Sequence, residues 1–64
     1  MEELHIEGFC KMLDEAEKDE IDATKMYRHM AFGRSPMVAL NLEATAEDEE
    51  KHLLVVRAIK RQVC

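Results

Sequence analysis

The chain has 64 residues, with 14 acidic against 9 basic side chains and a formal charge of −5. That length allows one domain, close to the lower limit for a core without disulfide, metal or partner. The acidic balance argues against nucleic acid and against an anionic membrane as partner.

The start, Met1-Glu2-Glu3-Leu4-His5, lacks the basic-then-apolar pattern of a signal peptide. No apolar run approaches the roughly 20 residues of a membrane span. The expectation is therefore a cytoplasmic protein. Two cysteines, Cys10 and Cys64, are too few for a disulfide framework and read as free thiols. Cys64, the last residue given, would be open to intermolecular oxidation in air.

The first helix is expected over about residues 2–31. Its apolar residues recur at helical steps, giving an inner stripe of Ile6, Phe9, Leu13, Ala16, Glu20, Ala23 or Thr24, Tyr27, and Met30 or Ala31. Met12, Met26, Met30 and Met37 read as gap-filling core or interface residues. A turn over 32–35 follows. Gly33 suits the left-handed position after a helix, Ser35 an N-cap with its oxygen on a free N–H, and Pro36 the first helical position. So short a link makes the two helices antiparallel neighbours.

The second helix is expected over about residues 36–62. Its stripe is Val38, Leu42, Thr45, Glu49, His52 or Leu53, Val56, Ile59 and Val63. Two amphipathic helices only half cover each other. The expected completion is a second copy about a two-fold axis, giving a homodimeric, all-α four-helix bundle with no stable folded monomer.

Glu47-Asp48-Glu49-Glu50-Lys51-His52 lies in the middle of the second helix. Glu49 and His52 are three apart and share a face, and that face is the apolar one. Burying an unpaired carboxylate costs several kcal/mol, a cost that a bound metal removes. With the turn centred between Arg34 and Ser35, Glu20 and Glu49 both lie about 21 Å from it and are level. His52 is then level with Glu17. A two-fold axis would bring together four carboxylates and two imidazoles. That is the donor set of a dinuclear carboxylate site, one Glu from each of two helices and Glu-x-x-His from each of the other two. Carboxylates are hard ligands able to bridge and neutralise two divalent cations, and imidazole suits iron and zinc.

The phrase Glu20-Ile21-Asp22-Ala23-Thr24-Lys25-Met26-Tyr27 with Glu49-Glu50-Lys51-His52 resembles the ferritin-like di-iron carboxylate superfamily. Its nearest branches are the rubrerythrins and the two-helix ferritin-like proteins housed in encapsulin shells. The resemblance covers about residues 13–60. It implies iron, two per dimer, with zinc or manganese as alternatives, held by Glu20, Glu49 and His52. It also implies ferroxidase-like iron oxidation or reduction of oxygen or peroxide. The paired Cys-x-x-Cys ribbon of the rubrerythrins is missing from these residues, which tips the expectation towards iron oxidation. The targeting tail of the encapsulated proteins is not visible either.

Around the ligands, Glu17 reads either as a partner for the second ring nitrogen of His52 or as a solvated acid. Tyr27 reads as a core aromatic, with a redox role as the alternative. His5 and His29 read as surface residues. The competing class is a non-catalytic acidic hairpin that dimerises or binds a partner helix. A structural zinc bundle is a third reading.

Overall fold

A computed structural model describes residues 6–64, with the side chain of Ile6 excluded. It is an antiparallel hairpin of α1 (Ile6–Ala31) and α2 (Pro36–Val63), measuring 48 × 18 × 18 Å. The expected start of the first helix near Glu2, and His5, lie outside the described residues. No described helix is long and apolar enough to cross a membrane.

Local chemistry sets the turn. Gly33 has φ +73°, a left-handed conformation that costs glycine little. The Arg34 amide bonds the Ala31 carbonyl at 3.2 Å, and Arg34 Nε bonds the Met30 carbonyl at 3.2 Å, so the carbonyls that end α1 are satisfied. Pro36 opens α2. Ser35 differs from expectation. Its side chain makes no capping bond, and its carbonyl instead accepts the Ala39 amide at 2.8 Å. Pro36 with its fixed φ still sets the first turn.

The core between the helices is thin. Leu13, Thr24, Ala31 and Ala46 are buried, and among the described residues no large side chain is fully buried. The accessible surface is 5362 Å², against about 4,200 Å² expected for a finished monomer of this mass. The methionines expected as core fill, Met12, Met26, Met30 and Met37, are all exposed in the hairpin.

The two long sides of the hairpin differ. One side is stitched together by polar and covalent links. Glu17 accepts from Arg57 Nε at 3.0 Å and Lys60 Nζ at 3.1 Å, Lys60 also reaches Asp14 at 2.7 Å, and Arg28 pairs with Glu50. The other side carries Met12, Met30, Val38 and Ile59, all exposed, together with Glu20, Glu49 and His52.

At the open end of the hairpin, Cys10 and Cys64 form a disulfide with Cα atoms 6.1 Å apart. This corrects the reading of both as free thiols. The register explains the pairing. Cys10 and Cys64, Asp14 and Lys60, and Glu17 and Arg57 are pairs equidistant from Met37, not from the Arg34–Ser35 centre assumed from the turn. The difference displaces partners on this side by about 7 Å along the axis.

Candidate metal centre

Glu20 comes from the middle of α1, and Glu49 and His52 from successive turns of α2. Each offers a donor atom, and these atoms all lie within 4.8 Å of one another. His52 Nδ1 stands 3.8 Å from Glu20 Oε2 and 3.9 Å from Glu49 Oε2. Two ligands on one metal with bonds of about 2.1 Å can be at most about 4.2 Å apart. The three side chains therefore have the separations of a shared coordination sphere with little rearrangement.

The burial is graded across the cluster. Glu20 and Glu49 have side chains 22% exposed, while that of His52 is 61% exposed. Glu20 Oε2 is buried and has no hydrogen-bond partner. Such an atom is costly without a proton or a cation beside it. The adjoining Glu49 carboxyl, first as a group a protonated Glu20 could bond, then desolvation, then the Glu49 charge hold Glu20 above its ordinary carboxylate range, with the His52 ring acting the other way. A cation beside the two carboxyls would offset both the desolvation of Glu20 and its repulsion from Glu49.

Glu17 and Tyr27 stand apart from this cluster. Glu17 is committed to Arg57 and Lys60 and is not a partner of His52. The register that levelled it with His52 does not hold on that side of the hairpin. Its hydrogen bonds from Arg57 and then Lys60 hold its carboxyl below the ordinary value of 4.5. Lys60 is held above 10.5, first by Asp14 and then by Glu17. Tyr27 is half-buried on the same stripe as Glu20, two turns nearer the interhelical turn, and hydrogen-bonds to none of the three candidate ligands. His29 is exposed.

The ion cluster has its own pH signature. A depressed Glu17 contributes stability that is present above 4.5 and lost as pH falls through its folded value. A raised Lys60 contributes stability that is present below 10.5 and lost as pH rises through its folded value. Melting followed against pH is expected to show an acid limb below 4.5 that is shallower in Glu17→Gln than in the parent. Superimposable acid limbs would remove Glu17 from the account.

The chain matches no family model, no curated protein and no solved structure. The centre therefore rests on its own geometry and chemistry.

Proposed function

We propose that the chain is a ferritin-like di-iron protein that assembles by its apolar side into a homodimeric four-helix bundle. Glu20, Glu49 and His52 of each protomer would hold two irons between the subunits, and the bundle would oxidise ferrous iron with oxygen or peroxide as acceptor. The observation that carries this reading is the buried, unpartnered Oε2 of Glu20, within 3.8 Å of the His52 ring nitrogen. A cation is the partner such an atom calls for. A second copy is the cover that the exposed His52 and its apolar surroundings call for.

Iron bound there would supply one-electron redox chemistry. The protein's own residues have three tasks. Glu20 would offer its buried, unpartnered Oε2 to the cation. Glu49, a turn before His52 on α2, sets the second oxygen beside the imidazole. The apolar flank of Met12, Met30, Val38 and Ile59 excludes water once covered, which strengthens the attraction between the carboxylates and the cation.

With ferrous iron as substrate, two ions give one electron each, and oxygen takes up both electrons and two protons to leave hydrogen peroxide. The Cys10–Cys64 bond persists most readily where thiols are oxidised.

Elemental analysis of protein purified without chelator tests the proposal. About one iron per chain is expected, the stoichiometry of a two-metal dimer. Ferrous oxidation and peroxide consumption measured side by side then separate the two acceptors. Zinc in place of iron, with no turnover, would make the centre structural. No metal, with melting unchanged by anaerobic ferrous iron, would overturn the site and leave the acidic interaction module.

A further inference from the structure

One outer side of α2 carries exposed leucines, from Leu40 to Leu54 at the rim of the groove shared with Ile21 and Arg28 of α1. Leu40 and Leu54 are 70% and 64% exposed, and neither belongs to the flank that carries the metal ligands. With Ala44, Glu47, Lys51 and Ala58 they form a line at steps of four, three, four, three and four. That is the heptad spacing of a helix–helix seam. Along α2 the line runs about 27 Å. Glu47 and Ala44 are exposed, and the Lys51 side chain is 76% exposed with only a marginal 4.0 Å pairing to Asp48.

The order of residues along the line is its own complement. Reversed about Glu49, Leu40 meets Ala58, Ala44 meets Leu54, and Glu47 meets Lys51. An antiparallel copy of the same helix, related by a two-fold axis at the level of Glu49, would therefore set a large residue on a small one in two layers on each side of the axis. It would set opposite charges against each other in the two central layers. A parallel copy in register would set Glu47 on Glu47 and Leu on Leu. Size and charge thus select both the occupant and its direction.

We propose that this seam is a second interface, occupied by α2 of another copy of this chain running antiparallel. It is independent of the metal reading, because it uses none of the three ligands and lies on a different side of the helix. A protein with both interfaces assembles beyond the dimer, with subunits added in pairs.

Light scattering on full-length Glu47→Lys, Lys51→Glu, the double variant and the parent tests it, with and without ferrous iron. Each single variant places like charges against each other across the axis, and the subunit number is expected to fall at least twofold from the parent. The double variant exchanges the charges and is expected to regain the parental number. An equimolar mixture of the two singles is expected to regain it too, since all-lysine and all-glutamate seams are complementary. Equal subunit numbers in all four proteins, or a double variant that stays as small as the singles, would overturn the proposal. A Glu20→Ala protein keeps the seam intact, so a loss of mass there reports on the metal-bearing side and not on this one.

Discussion

Reduction of the Cys10–Cys64 disulfide is expected to lower stability by about 4 kcal/mol, the loop-closure value for a cross-link of this span. The two cysteines are 54 residues apart in the chain, so the bond ties the open end of the hairpin and closes nearly the whole sequence into one loop. Reduction frees the unfolded chain to explore far more conformations, while the folded hairpin changes little. At about 4–8 °C per kcal/mol for a domain this small, the midpoint should fall by roughly 15–30 °C. Cys10→Ser should reproduce the loss, and reductant should then have no further effect on the variant. A parent whose melting ignores reductant would mean that the folded hairpin carries its stability elsewhere, in the intersubunit contacts or the metal.

The effect should be large because the hairpin has little else. With four buried residues among those described, none of them a fully buried large side chain, the helices cannot offset the conformational entropy of ordering the chain by apolar burial alone. The ion cluster of Asp14, Glu17, Arg57 and Lys60 sits within three turns of the disulfide on the same side. It is solvent-facing and contributes modestly. Covalent closure at one end and the tight turn at the other are the supports within the hairpin, and the proposed second copy along the apolar side would add a third.

What could be read from the sequence follows the range of the interaction. Gly33 and Pro36 announced the turn because φ constraints act on single residues. Glu20, Glu49 and His52 could be brought together because the helical repeat fixes the Glu49–His52 spacing and a short turn fixes the level of Glu20. The Cys10–Cys64 bond could not be read in the same way. It forms at the far end of both helices, where a shift of the register centre from Arg34–Ser35 to Met37 moves partners by more than a turn. The same shift took Glu17 from His52 to Arg57 and Lys60.

The facing of α2 was obscured for a different reason. Val38, Val56 and Ile59 lie on one flank and Leu40 and Leu54 on another, so periodicity alone did not single out buried Ala46 as the centre of the interhelical contact. A helix with apolar residues on several sides has a weak preferred direction, and only the partner helices decide which side is covered.

Substituting the ligands should move stability in opposite directions with and without metal. In metal-free protein, Glu20→Ala removes a buried carboxylate oxygen that has no partner and is expected to stabilise by about 1 kcal/mol, the scale of an unsatisfied polar group. With ferrous iron or zinc at a hundred times its dissociation constant, the parent gains about 2.7 kcal/mol per site by mass action, and the variant gains nothing. Glu49→Ala should lose the same gain. His52→Gln is the most discriminating change, because its side chain is 61% exposed and replacing it should shift the metal-free protein by less than about 0.5 kcal/mol. A residue of no consequence to the bare fold whose loss still removes the metal-dependent rise in melting can only be acting on the metal. The acidic interaction module makes the other prediction for all three, a parent that metal does not stabilise and substitutions that are neutral or stabilising under every condition. Differential scanning calorimetry with and without metal, with Asp22→Ala as an exposed-acid control, decides between them on the sign of a single difference.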